Sequence, residues 1–295
     1  MTMFKSTARL MAMTALMALH HGLAMAQMPA QQPDAKSFKL GKLDIVALHD
    51  AQFIKPNDGK TFGIDHSPAE VGELLKAAGA PTDSITLSVD ALLVKSKDKT
   101  VLIDTGVGGA LQDSLAKAGV KPGDVNEILI THSHPDHIGG LVKDGKLAFP
   151  NASIRMSDVE WDFAKSNKDV ADIVKVIADH VKPFKAGAQV APGITSVALP
   201  GHTPGHVGYQ IKSGKERLFD IGDTVHSSIL SLAKPDWAVA FDGDKPEAEQ
   251  NRAKTLTALA KNQELIFAPH FPFPGVGHIE KDGDHFKWAP SDKLQ

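Results

Sequence analysis

Four times along this chain a short run of strand-forming residues ends in histidine or aspartate: EILITHSHPDH (127–137), VALPGHTPGH (197–206), LFDIGDTVH (218–226) and ELIFAPH (264–270). Polar ligand-type side chains at strand ends are useful only if the ends converge, so the pattern demands a fold that brings distant strands to one edge. The first segment is the densest. An extended stretch from Glu127 to Thr131 leaves His132 and His134 two positions apart, hence on one side, and Asp136 and His137 follow Pro135 in a tight turn that Gly139-Gly140 lets bend away. Such a cluster fills only part of a metal coordination shell, and the later segments offer His202, His206, Asp220, Asp223, His226 and His270 to complete it.

Between these segments the chain alternates two periods. LDIVALHD, ITLSVDALLV, TVLIDTG, SIRMS, ITSVALPG and HVGYQIKS read as further strands. Helical spacing runs through 69–79, 109–119, 168–181 and 247–261. The class is therefore α/β. A break between Lys182-Pro183 and Ala191-Pro192 divides the domain into halves of about 37–182 and 183–295.

The ends of the chain and its charge narrow the function. Residues 1–26 combine basic Lys5 and Arg9, an apolar run from Leu10 to Leu19 and Ala24-Met25-Ala26, which reads as a secretory signal; the run is too short to span a bilayer. Residues 27–36 read as a flexible leader, and the expected location is periplasmic or secreted, with no membrane association after signal removal. A formal net charge of −3, more acidic once the signal is gone, argues against nucleic acid as partner. With no cysteine in 295 residues there is no disulfide, thiolate nucleophile or sulfur ligand, and any metal must be held by nitrogen and oxygen.

The succession D-T-G (104–106), H-x-H-x-D-H (132–137), G-H-T-P-G-H (201–206), G-D-T (222–224) and a late histidine, His270, resembles the metallo-β-lactamase superfamily over nearly the whole chain from about Leu43. The resemblance implies an αβ/βα four-layer sandwich, two mixed β-sheets with helices outside, over residues 37–295. It further implies two divalent metal ions, zinc before manganese, cobalt or iron. By that resemblance His132, His134 and His202 hold one ion, Asp136, His137 and His270 the other, and Asp223 bridges. Asp104 is expected to orient ligands from behind, His206 to brace its loop, and Asp220 to stay within its strand. His226 is read as either a pocket residue or loop packing, and His278 as lining the pocket mouth.

A metal pair of this kind suits hydrolysis of a small molecule, with Asp136 and Asp223 as the catalytic carboxylates. No G-x-S-x-G elbow offers a serine nucleophile. The absent cysteine and the tail HFPFPGVGHIEKDGDHFKWAP resemble the methyl parathion hydrolase and lactonase-like branch, implying ester, lactone or phosphotriester substrates. Phe271, Phe273, Phe286 and Trp288 are candidate apolar pocket walls, with ordinary core as the competing role. The N-acyl-homoserine lactonases of the superfamily use a tyrosine near the metals to assist the ring oxygen, whereas the single tyrosine here, Tyr209, lies within a strand where core packing is expected. An iron-dependent dioxygenase of the glyoxalase II-like branch and a β-lactam hydrolase are the alternatives. Pairing of two copies through the hydrophobic tail is left open.

Overall fold

Residue alternation along the central strands determines the layering, as a computed structural model describing residues 32–294 makes plain. On one face of the first sheet Ile45, Ala47, Leu92, Val94, Val101 and Ile103 point to a shared core, while Val46, Leu48, Leu93 and Leu102 point the other way. Strands buried on both faces need cover on both, and the fold supplies a second sheet on one side and helices on the other.

The first sheet contains β1 (Asp34–Leu40), β2 (Leu43–Pro56), β3 (Ser84–Lys95), β4 (Thr100–Ile103) and β5 (Glu127–Leu129). After a small hairpin, β6 (Val142–Lys143) and β7 (Lys146–Leu147), it closes with β8 (Ser153–Arg155), in the order β1-β2-β3-β4-β5-β8. The second contains β9 (Gln189–Ala191), β10 (Ile194–Ala198), β11 (Val207–Ser213), β12 (Glu216–Asp220), β13 (Ile266–Phe267), β14 (Val276–Asp282) and β15 (His285–Pro290), ordered in reverse from β15 to β9. Both sheets are mixed: β4-β5, β5-β8 and β12-β13 are parallel and the rest antiparallel.

Between the sheets Ile45, Leu92, Ile103 and Leu129 meet Ile194, Val207, Tyr209, Ile211 and Phe267. Each large side chain removed from water there contributes about 1.5–3 kcal/mol. On the outer face of the first sheet lie α2 (Leu111–Lys117), α4 (Asp158–Ser166) and α5 (Ala171–Ile177), through Leu111, Leu115, Trp161 and Ile177. The second sheet is covered by α7 (Lys245–Asn262), through Leu256 and Leu259. A satellite cluster joins α1 (Pro68–Ala77) to α6 (Leu230–Ala233) through Val71, Leu75 and Leu230. The one-turn helix α3 (Pro135–Ile138) belongs to the site described below. The four-layer αβ/βα sandwich is thus present. Among the described residues no helix is long and apolar enough to cross a membrane.

The expected boundaries shift in three places. β1 begins at Asp34, so the last three residues of the stretch read as a leader are in a strand paired with β2; residues 1–26, read as a signal, lie outside the described residues. The helical spacing over 168–181 resolves into α5 flanked by 3-10 turns at Lys168–Val170 and Ala178–His180. The tail is a hairpin, β14 and β15, whose alternation is obscured by charged residues on its exposed face.

Candidate metal centre

The segment after β5 leaves the sheet extended, and Pro135, with its preset φ, starts α3 directly after His134. His132 and His134 therefore project from extended chain while Asp136 and His137 project from the first turn of a helix. Two further loops arrive from the second sheet, carrying His202 between β10 and β11 and Asp223 just after β12, and His270 follows β13.

Three ring nitrogens converge first. His202 Nε2 lies 3.1 Å from His132 Nε2 and 2.9 Å from His134 Nδ1, which is itself 3.2 Å from His132 Nε2. Nitrogens bound to one tetrahedral zinc at 2.0–2.1 Å are about 3.3 Å apart, so these three edges suit a single cation. Asp136, His137 and His270 form a second group whose ligand atoms lie within 4.8 Å of one another. Asp223 stands between the groups: Oδ1 approaches His137 Nε2 at 3.2 Å, while Oδ2 approaches His202 Nε2 at 3.3 Å and His270 Nε2 at 3.1 Å. His137 Nε2 and Asp223 Oδ1 are buried without a hydrogen-bond partner, as expected of atoms that would bind a cation. The seven residues assigned by resemblance are thus brought together, and they fit two divalent ions.

The charge states of Asp223 and of the first group agree. Burial disfavours the charged form of Asp223, but His137, His270 and His132 outweigh it and hold the carboxyl well below its usual range. Burial pulls His202 down to about 3 and His132 well below its ordinary value, leaving neutral rings, the form that binds metal. His137 and His270 are pulled down by burial but raised overall by Asp223, His270 to about 9.

Behind these groups four of the five rings, all but that of His134, are aimed by a second contact. Asp104 Oδ2 accepts from His137 Nδ1 at 2.7 Å and from the Thr131 hydroxyl at 2.7 Å, and its Oδ1 accepts from Thr131 N. It does so from a left-handed backbone, φ 58°, which aspartate tolerates better than most residues. His270 Nδ1 donates to Ser88 O at 2.7 Å. His206 braces its loop as expected: Nδ1 donates to Leu199 O and Nε2 accepts from Asp223 N. Asp220 stays out of the cluster, accepting from Gly222 N. Tyr209 is fully buried and donates to Ile130 O, a core role.

Three supporting residues carried no motif. Asp242 accepts from His202 Nδ1 at 2.9 Å and pairs with Arg252, itself buried and donating also to the carbonyls of Thr224, Pro235 and Trp237. Glu160, fully buried at the first turn of α4, accepts from Ser133 N and Oγ with one oxygen and from Thr203 Oγ1 and Gly205 N with the other. It ties the His132/His134 loop to the His202 loop. Gly205 has to be glycine for this, since a Cβ there would sit 2.1 Å from Glu160 N. The S-x-x-E spacing at 157–160 marks the start of α4, but nothing local shows that the carboxylate turns inward.

Above these candidate ligands opens a cavity of about 310 Å³, lined by Phe53, Lys55, Leu87, Val107, Pro135 and Phe241 together with His134, Asp136, His202, Asp223, His226 and His270. His226 is therefore a pocket residue. The other expected pocket residues are corrected. Phe271 is buried in the core of the second sheet, edge-on to Trp288, beside Phe286. Phe273 packs against His49 and lines a separate cavity with Gln52 and Lys117. His278 alternates away on β14 to Glu264 O and a third cavity. Nearness in sequence to His270 misleads because the chain turns away from the site at Ala268–Phe271. The walls come instead from the end of β2, which runs past β1 while still paired with β3, and from the segment before α7.

Comparison with known proteins agrees with this geometry. Residues 85–270 match the family model of the metallo-beta-lactamase superfamily. Among solved structures, AidC, a dizinc quorum-quenching lactonase in complex with the product N-hexanoyl-L-homoserine, is 32% identical with a TM-score of 0.83, over 88% of this chain and 98% of that one. The hydrolase AbOPH of the same superfamily is 32% identical with a TM-score of 0.81, again over 88% and 98%. An N-acyl homoserine lactonase of Bacillus thuringiensis is 25% identical over 236 residues, covering 70% of this chain and 88% of the relative. A linear succession of motifs, a four-layer sandwich and convergent strand-end ligands lead to one conclusion: this chain belongs to the metallo-β-lactamase superfamily.

Proposed function

We propose that the protein is an exported, dinuclear zinc-dependent hydrolase that opens lactones and cleaves related esters, with phosphotriesters as secondary substrates. The observation that carries the reading is the placement of Asp223 between two ligand groups at the foot of an apolar cavity. In this reading His132, His134 and His202 hold one ion, Asp136, His137 and His270 the other, and Asp223 is shared. A bound pair of such ions supplies Lewis acidity and a water acidified toward neutrality.

The chain's own residues do the rest. Asp136 keeps a quarter of its side chain exposed at the cavity floor, 24%, and its carboxylate is positioned to orient the attacking water and take up its proton. Phe53, Leu87, Val107 and Phe241 remove the acyl or aryl part of the substrate from water and hold the carbonyl over the floor. Asp104, Asp242 and the Ser88 carbonyl keep three imidazoles from turning during the reaction. The likeness to AidC and to an N-acyl homoserine lactonase supports a lactone before a phosphotriester, and the signal-like first 26 residues support export.

The test compares kcat/KM of zinc-loaded protein on an aryl lactone and a dimethyl aryl phosphotriester, with metal analysis of the purified protein. About two zinc per chain and preference for the lactone are expected. One iron per chain, or turnover of neither substrate, overturns the reading and favours the oxidative alternative.

A further inference from the structure

Among the described residues His226 is the one imidazole at this centre that makes no hydrogen bond. It is 1% exposed, and both Nδ1 and Nε2 are buried without a partner. Its nitrogen Nε2 lies 3.3 Å from Asp223 Oδ2, so it reaches the centre as closely as His202 does. Its neighbours are rings: His202 at 4.8 Å, Phe241 at 5.7 Å, His270 at 5.8 Å in a nearly parallel stack of 9°, and Phe62 at 6.4 Å edge-on.

Two roles fit a buried imidazole with both nitrogens free, a further metal ligand or a substrate contact, and its surroundings separate them. Metal-binding histidines almost always have their second nitrogen held by a carboxylate, carbonyl or similar group. Four of the five histidines assigned as ligands follow this rule, with His132 Nδ1 meeting Thr131 Oγ1 at 3.1 Å, His137 Nδ1 meeting Asp104, His202 Nδ1 meeting Asp242 and His270 Nδ1 meeting Ser88 O, and the fifth, His134, turns Nδ1 to the His132 and His202 nitrogens. His226 has no such hydrogen bond on either nitrogen and, unlike His134, makes none to another ring nitrogen, so its ring is aimed by packing against its neighbours. A neutral imidazole always carries one N–H and one bare nitrogen. A ring that lines the cavity and makes no hydrogen bond, even though Asp223 Oδ2 stands 3.3 Å from Nε2, keeps its N–H for whatever enters.

We infer that His226 is a catalytic residue of the hydrolysis, donating an N–H hydrogen bond to the leaving oxygen of the ester or lactone as its bond to the carbonyl carbon breaks. The inference rests on the hydrolase reading above. The attacking water oxygen bonds to the carbonyl carbon and its proton passes to Asp136; the acyl C–O bond breaks, its electron pair goes to the leaving oxygen, and His226 keeps its own proton while its hydrogen bond strengthens as that charge grows. A preorganised donor of this kind in a water-excluded site is worth roughly 10²–10³ in kcat, realised only in the transition state.

The test uses the zinc-loaded full chain and aryl esters of one acid whose phenols differ in pKa. His226→Phe keeps the ring packing and removes both nitrogens, while His226→Gln restores an N–H donor. The expected result is a loss in kcat that grows from slight with the most acidic phenols to roughly 10²–10³ with the least acidic, little change in KM, an unchanged zinc content, and partial recovery in the glutamine variant. A loss equal across the series, in either variant that folds, would mean a merely structural ring and overturns the inference. Loss of zinc from both variants also overturns it, making His226 a ligand. Wild-type protein inert toward every ester would sink the hydrolase reading itself, whereas active wild type with parallel slopes sinks only the role of His226.

Discussion

Replacing Glu160 by glutamine changes one atom in a fully buried carboxylate and should loosen the whole centre. The carboxylate has no cation within ion-pair distance among the described residues; it is compensated by four donors, Ser133 N at 2.7 Å, Ser133 Oγ at 2.6 Å, Thr203 Oγ1 at 2.7 Å and Gly205 N at 3.1 Å, and by its position in the first turn of α4. Glutamine offers one oxygen and one NH2. If the oxygen keeps the shorter Ser133 bonds, the NH2 faces Gly205 N–H, donor against donor, while the Thr203 hydroxyl can turn to accept. One buried N–H is left unpaired, costing about 1–3 kcal/mol, and the surviving bonds lose their charge assistance, roughly another 1 kcal/mol. We expect Glu160→Gln to lower the stability of the metal-stripped protein by about 3 kcal/mol in urea unfolding at constant m-value. Because the same bonds align the loops of His132, His134 and His202, zinc affinity measured by chelator competition should fall about 10–100-fold. A change below about 1 kcal/mol together with unaltered zinc affinity would refute the claim that Glu160 couples the loops.

Further substitutions probe the neighbours. Asp223→Ala should lose zinc together with activity, and Asp136→Asn should depress kcat severely; wild-type rates and metal content in both would refute the ligand assignment. Asp242→Ala leaves the buried Arg252 without its counter-charge and frees His202 Nδ1; it should cost about 3–5 kcal/mol, seen as a lowered urea midpoint, and weaken zinc binding. For Asp90, burial raises the carboxyl to about 6 from 3.8, and its Oδ2 has no partner, although His49 and Ser88 bond Oδ1. The native state therefore holds this proton more tightly than the unfolded chain. Its stabilising effect is complete below about pH 4 and is lost as pH rises through 6, and the raised pKa of His49, from its bond to Asp90, acts in the same direction. Asp90→Asn should abolish a decline of about 3 kcal/mol between pH 4 and 7, measured as the wild-type minus variant difference in unfolding free energy; parallel pH profiles would refute it.

What could be read from residues alone were the features whose chemistry is local. The spacing in HSHPDH, the glycines after it and the apolar runs leading to His202, Asp223 and His270 each carry their own reason for standing at a strand end, so the layers and the convergence of these side chains were legible. The support was not. Asp242 and Arg252 matter because His202 lies beside them across forty residues of chain, and Glu160 matters through Ser133 and Thr203. No periodicity encodes such contacts. The pocket walls were misread for a related reason: aromatic residues just after His270 are close to it along the chain, but the backbone turns them into the core, and Phe53 and Phe241 reach the cavity from elements that bear no ligand.

The cavity is consequently made of two parts with different freedom to vary. Its floor is bolted to both sheets through Asp104, Glu160 and Asp242, whereas its rim is the end of β2 and the segment before α7, bridged by the Lys55 ammonium 5.2 Å from the Phe53 ring and 5.7 Å from the Phe241 ring. Descendants of such a chain can exchange Phe53, Lys55 or Phe241, and so drift from one acyl group to another, while inheriting the reactive floor unchanged. Innovation in this lineage should be concentrated in a few rim codons, and directed evolution restricted to those three positions is where new substrates would first be gained.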